Sequence, residues 1–216
     1  MKKIAVVFAG CGVMDGSEIH ESVITLLHIN RQGATYQCFA PDIQQHHVIN
    51  HAIAQPSEET RNVFVESARI ARGEINKLDQ LNPENFDALI FPGGLGAAKN
   101  LCDFAFKAEN MTINKQVETV IKAFHESGKP VGLICISPVL APKTFGAGVK
   151  CTIGTDQKTA QSIEKMGGVH IACDVNNIVV DETHKLVTTP AYMLANSISE
   201  VDTGVGKLVQ KIIALC

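Results

Sequence analysis

The sequence predicts an α/β fold, with a mostly parallel central sheet and helices on both of its faces. Three observations carry this. Ile4–Ala9, Ala88–Phe91 and Val131–Ile134 are short, almost uniformly apolar runs without alternation, as expected of strands covered on both faces. Between such runs lie segments with apolar residues at helical spacing, such as Val117, Val120, Ile121 and Phe124. Glycine or proline punctuates the joins, at Gly10, Gly33, Pro41, Gly73, Pro92, Gly128 and Gly167. Strands that alternate with helices close into a parallel sheet through right-handed crossovers, and such sheets bind ligands beyond their carboxyl edge.

The elements follow in order. Ile4–Ala9 is the first strand, and a helix runs from near Ser17 to about Arg31, with Ile24, Leu27 and Arg31, flanked by Val23 and Leu26, as its inner face. Thr35–Ala40 is the second strand. Residues 42–56 are polar and rich in histidine. Ser57-Glu58-Glu59 is an acidic helix start, and that helix is expected to reach Arg72, with a second short helical piece over Ile75–Leu81. Ala88–Phe91 is a buried strand ended by Pro92-Gly93-Gly94, and Asn114–Ser127 is a helix. The Val131–Ile134 strand runs into a short helix that ends before Pro142, followed by a strand at Val149–Ile153 and a helix from Gln157 to Met166. Ile178–Val180 and Leu186–Thr189 pair as a hairpin across Asp181–His184, and a final helix carries Val201, Val205, Leu208, Val209, Ile212 and Ile213.

The 216 residues are expected to form a single domain, 1–216. Apolar residues make up 45% and charged residues 19%, ordinary for a globular chain. A net charge of −3 with no basic cluster argues against nucleic acid as a partner, and no apolar run is long enough to span a membrane. Seven cysteines, odd in number and without framework spacing, predict reduced thiols and a cytoplasmic location.

Chemistry centres on Cys135, at the junction between a buried strand and a turn that leads into Pro138. Pro suits the first position of a helix. A thiol projected there faces helix N-terminal N–H groups, which lower its pKa and activate it, as in a nucleophile elbow. A buried core cysteine is the competing reading. Asp15 or Ser17 can cap the first helix and Glu18 can complete a capping box, whereas Glu21 lies beyond the cap beside the apolar stripe, where desolvation raises a carboxyl pKa. Either acid can serve Cys135, with Glu21 preferred and a solvated helix carboxylate as its alternative. Gly93 and Gly94 allow close backbone approach, and their N–H groups, with that of Ile136, are candidate oxyanion donors. No nucleotide fingerprint is present, and His46, His47 and His51 read as a solvated loop, so no metal and no cofactor is expected. No histidine has a compelling link to Cys135, which favours a Cys–Glu dyad over a triad.

These residues resemble a known group. Leu133-Ile134-Cys135-x-x-Pro138, Phe91-Pro92-Gly93-Gly94 and Glu21-Ser22-Val23-Ile24 are similar to the ThiJ/PfpI superfamily. Phe8 to Glu18 and Gly132 to Pro138 resemble its ElbB-like glyoxalase subgroup, along the whole chain. The resemblance implies the flavodoxin-like three-layer sandwich of class I glutamine amidotransferases. It also implies Cys135 as nucleophile, Glu21 as its buried acid partner, Gly94 and Ile136 as oxyanion donors, and a homodimer. The histidine that some members carry after the next strand is missing from Thr152–Asp156, which argues against triad protease or amidotransferase chemistry. The expected activity is a cofactor-independent glyoxalase of the hydro-lyase type, acting on glyoxal or another small aldehyde, or on glycated protein side chains. The alternative is a cysteine redox sensor or regulatory protein linked to isoprenoid biosynthesis.

Overall fold

The computed structural model describes residues 1–216. Strand β1 (Lys3–Val7) is followed by helix α1 (Ile19–Arg31) and strand β2 (Thr35–Ala40). A small antiparallel pair, β3 (Ile49–Asn50) and β4 (Gln55–Pro56), precedes helix α2 (Val63–Ile70) and strand β5 (Ile75–Lys77). Strand β6 (Ala88–Phe91), the short helices α3 (Leu95–Lys99) and α4 (Phe104–Lys107), helix α5 (Lys115–Glu126) and strand β7 (Val131–Ile134) come next. Helix α6 (Ala141–Phe145), strand β8 (Lys150–Cys151), helix α7 (Gln157–Lys165) and strand β9 (Val169–His170) lead to the hairpin of β10 (Val179–Asp181) and β11 (Leu186–Thr189). Helix α8 (Ile198–Leu215) closes the chain.

The central sheet has seven strands in the order β10-β11-β7-β6-β1-β2-β5, all parallel except the antiparallel β10. The chain builds outward from β1 to β5, then returns to β6 beside β1 and builds the other way. That reversal places a topological switch point between the carboxyl ends of β1 and β6. Helices α1 and α8 pack together on one face, with α8 against β7 and β11, while α5 lies against β6 and β7 on the other. β1, β6 and β7 are buried along nearly their whole length, which explains their unbroken apolar sequences.

Several expectations need correction. The helix predicted over Ser57–Arg72 begins only at Val63, where the Asn62 side chain accepts from the Val65 N–H. Residues before it are held in extended form by the Gln45 N–H bond to the Arg61 carbonyl and the bridge from Gln44 to Asn62. Ile75–Lys77 is the edge strand of the sheet rather than a helical piece, and only Leu78–Gln80 winds into a 3₁₀ turn. The strand predicted at Val149–Ile153 shrinks to β8 and pairs with β9 in a separate sheet. The helix after Cys135 runs past Pro142, which sits in the first turn of α6. Helix α1 is rotated from its predicted setting. Val23 and Leu27 are exposed, while Glu21, Ser22, Thr25, Leu26 and Ile29 face inward with Ile24. Ser22 and Thr25 meet that burial by donating their hydroxyls to the carbonyls of Glu18 and Glu21.

Candidate active site

The site lies at the carboxyl ends of three adjacent strands: β6 supplies Gly93-Gly94, β7 supplies Cys135, and β11 leads through Pro190 to Tyr192. The Cys135 N–H donates to the Thr189 carbonyl at 2.9 Å, so β7 stays paired to β11 up to Cys135. Cys135 then takes φ 62°, a left-handed conformation that side chains rarely adopt and that turns the thiol out of the sheet. The Ser137 hydroxyl donates to the Pro92 carbonyl at 2.8 Å and ties this elbow to the neighbouring strand end.

Glu21 reaches this thiol from α1. It is fully buried, and its carboxyl lies beside the Cys135 sulfur, the two meeting over Gly93. Two main-chain donors pin it: the Gly93 N–H to Oε2 at 2.9 Å and the Tyr192 N–H to Oε1 at 3.1 Å. The structure thus gives Gly93 a different task from the one expected. Its N–H is taken by the acid, and the N–H groups that face the sulfur are those of Gly94 and Ile136. A side chain at Gly93 has no room, because a Cβ there would lie 2.5 Å from Glu21 Oε2, 2.9 Å from Cys135 Sγ, and closer still to Cys135 Cβ. Gly94 has φ 95°, and a Cβ on it would strike the Glu18 N and the Gly16 carbonyl, so glycine lets the 10–18 loop seat against the site.

Glu18 takes a separate role. Its carboxylate is itself the N-cap of α1, accepting from the Glu21 N–H at 2.7 Å. Asp15 and Ser17, the expected caps, are otherwise engaged: Asp15 Oδ2 accepts from the Ile49 N–H and Ser17 Oγ from the Ala9 N–H.

Burial dominates the electrostatics. It pushes Glu21 up to about 8, and the negative charge of Glu18 adds to the effect, against the lowering by the Tyr192 and Gly93 N–H groups. Burial also drives the Cys135 thiol well above its ordinary range, with the Glu21 carboxyl next in importance, outweighing the Gly94 and Ile136 donors. The helix N-terminal donors expected to lower the thiol's pKa are outweighed by burial; the helical run after the elbow opens with a 3₁₀ turn, Ser137–Leu140, before α6. Burial thus disfavours the charged form of both members of the pair.

Sequence reasoning missed Tyr192 and His20. The Tyr192 hydroxyl and His20 Nδ1 are 2.8 Å apart, and Glu18 Oε1 lies 4.0 Å from the same nitrogen. Tyr192 holds Glu21 through a main-chain N–H, and such a contact carries no residue-type signature. The three clustered histidines are not gathered as ligands: His46 and His47 stack with Phe106, and His51 bonds the Met14 N–H and the Ile49 carbonyl. No group of three or more His, Cys, Asp or Glu side chains is placed to hold a metal ion. A surface cavity of about 540 Å³ runs along α1 past Val23 and Leu27 and does not include Cys135 or Glu21.

No helix is long and apolar enough to cross a membrane. The chain is 48% identical to a human (Homo sapiens) protein named glutamine amidotransferase-like class 1 domain-containing protein 3, mitochondrial, over 99% of this chain and 83% of that one. Among solved structures it superposes on an isoprenoid biosynthesis protein with an amidotransferase-like domain from Ehrlichia chaffeensis, with TM-score 0.92 and 37% identity over 99% of this chain and 100% of the other. Glyoxalase III from Candida albicans shares the fold at TM-score 0.64, with 15% identity over 99% and 97% of the two chains. The model of the DJ-1/PfpI family matches residues 13–195, and the chain belongs to that family.

Proposed function

We propose that this protein is a cofactor-independent glyoxalase that converts glyoxal, or a similarly small α-oxoaldehyde, to the hydroxy acid. The observation that carries the reading is the buried Glu21 carboxyl, set beside the Cys135 thiol and pinned by two backbone N–H groups. The reactive form is the dyad that has lost one proton. As its sulfur adds to one aldehyde carbon to give a hemithioacetal, the Glu21 carboxylate takes the thiol proton and hands it to the new oxyanion, which the Gly94 and Ile136 N–H groups stabilise. Glu21, again a carboxylate, takes the C–H proton of that carbon and passes it to the neighbouring carbon through an enediol, while the hydroxyl proton moves from the first oxygen to the second. The product is a glycolyl thioester. Water then releases glycolate and regenerates the dyad, so glyoxal and water are consumed in equal amounts and no redox partner is needed. The same steps on a glyoxal adduct of a protein side chain would make the enzyme a deglycase.

Because the first proton leaves the dyad near the value set by Glu21, about 8, turnover should rise through neutrality and level off above it. The test is glycolate formation from glyoxal in the presence of a chelator. Cys135→Ser and Glu21→Gln should each lose roughly 10²–10⁴-fold. Wild-type rates in both would sink the mechanism, and a glyoxal-treated peptide run in parallel separates free aldehyde from protein adducts as substrate.

The redox-sensor reading, with the link to isoprenoid biosynthesis that the Ehrlichia protein's name carries, is the weaker one. A thiol that is 7% exposed and raised in pKa is a poor target for mild peroxide. Seven unpaired cysteines support a reducing compartment such as the cytoplasm. The human relative's name places that protein in mitochondria. The homodimer implied by the family finds support in the exposed apolar stripe Ile19, Val23 and Leu27 on α1.

A further inference from the structure

Six non-glycine residues have positive φ, and the two that are buried, Cys135 and Ala191, both belong to the site. A left-handed conformation at such a residue costs about 1–3 kcal/mol and persists only where surrounding contacts hold it. At Ala191, φ 43°, the strain aims the next N–H, that of Tyr192, at Glu21 Oε1. The Tyr192 side chain leans the other way and meets His20, with ring centroids 5.8 Å apart and the hydroxyl hydrogen-bonded to Nδ1. Tyr192 therefore grips α1 at two successive residues, His20 through its side chain and Glu21 through its main chain. His20 is exposed and Tyr192 half-buried, so the clamp runs from solvent to the buried acid.

We infer that the His20–Tyr192 contact is a latch that holds the strained Ala191–Tyr192 turn in place and thereby positions Glu21 and sets the pH at which the Cys135–Glu21 pair becomes reactive. The inference rests on the reading of these two residues as the reactive pair. Tyr192 and His20 are positioning residues here, because they act through Glu21. The titratable groups around the acid are Cys135 at the end of β7, Glu18 ahead of α1 and Tyr192 after β11. Glu18 and Tyr192 are also the groups that face His20. The Tyr192 N–H bond favours the singly deprotonated pair. Releasing the latch lets the turn relax, weakens that bond, and makes the first proton harder to remove.

The experiment measures the rate of Cys135 alkylation by iodoacetamide against pH, read by peptide mass, in the full-length protein. Tyr192→Phe and His20→Ala should each move the midpoint upward by about 0.5–1 pH unit, a fraction of one hydrogen bond to a charged acceptor. His20→Gln, which can still accept from the tyrosine hydroxyl, should restore most of the shift. In a Glu21→Gln background, Tyr192→Phe should add nothing. Unchanged midpoints in Tyr192→Phe and His20→Ala overturn the latch, as does an equal shift with and without Glu21, which would mark a merely structural role. No aldehyde enters the assay, so a chain inactive on glyoxal can still show the shift, and one active on glyoxal can still fail to.

Discussion

Replacing Glu21 with glutamine should stabilise the fold at pH 8 and weaken it at pH 5. In the folded chain the carboxyl is held neutral, with its pKa raised from 4.5 to about 8 by burial. Unfolded, it ionises normally. Folding therefore takes up a proton between these values, and the wild-type chain loses stability as pH rises through the window, with the contribution fully present only below the unfolded value. From pH 5 to pH 8 the loss is about 3–4 kcal/mol at full effect. Glutamine cannot ionise, so it removes that slope. It also turns an NH₂ toward one of two backbone donors, the Gly93 or the Tyr192 N–H, at a cost of about 1–3 kcal/mol independent of pH. The two stability curves should cross between about pH 5 and 7. Urea denaturation of both proteins at pH 5, 6, 7 and 8 measures this directly. A difference between them that stays constant with pH would mean that the folded carboxyl is ionised, and the neutral acid–thiol pair would have to be abandoned.

Gly93→Ala should drive a methyl group between Cys135 and Glu21. It should lower glyoxal turnover by on the order of 10²-fold through displacement of the pair, with a drop in Tm of roughly 2–10 °C from about 1–3 kcal/mol of overpacking; a calorimetric scan beside the rate assay checks both. Asn62→Ala should destabilise the chain by about 1 kcal/mol through loss of the α2 cap, whereas Ser57→Ala should be near neutral; urea midpoints that rank the two the other way would contradict the helix start at Val63.

The sheet and the elbow were legible because their physics is local. A strand buried on both faces must be apolar throughout, and Ala88–Phe91 and Val131–Ile134 are. Burial is all such a pattern reports, however. Val149 and Cys151–Ile153 are buried too, yet β8 pairs outside the central sheet, since burial does not name a partner strand. The false helix start at Ser57 arose from two competing capping signals in one polar stretch, and contacts with residues 44–45 decided for Asn62. Ile75–Lys77 is too short, and too exposed at the sheet edge, to show a period. In the site, Cys135 and Glu21 could be found from their positions, but the sign of the thiol's pKa shift could not, because it depends on total burial. His20 lies 172 positions from Tyr192, and nothing in their sequence neighbourhoods marks the pairing.

The pairing of β11 with β7 makes the terminal hairpin a ruler for the acid. Thr189 stands opposite Ile134, so the residues that follow, 190–192 and 135, leave the sheet side by side. A one-residue slip of β11 would carry the Tyr192 N–H about 3.3 Å along the strand, beyond hydrogen-bond reach of Glu21. Length changes within the 182–185 turn would leave the β11 register intact, whereas an insertion between Thr189 and Tyr192 would shift the acid's anchor without touching either member of the pair. The length of that three-residue span thus tunes the pair from outside, through backbone position alone.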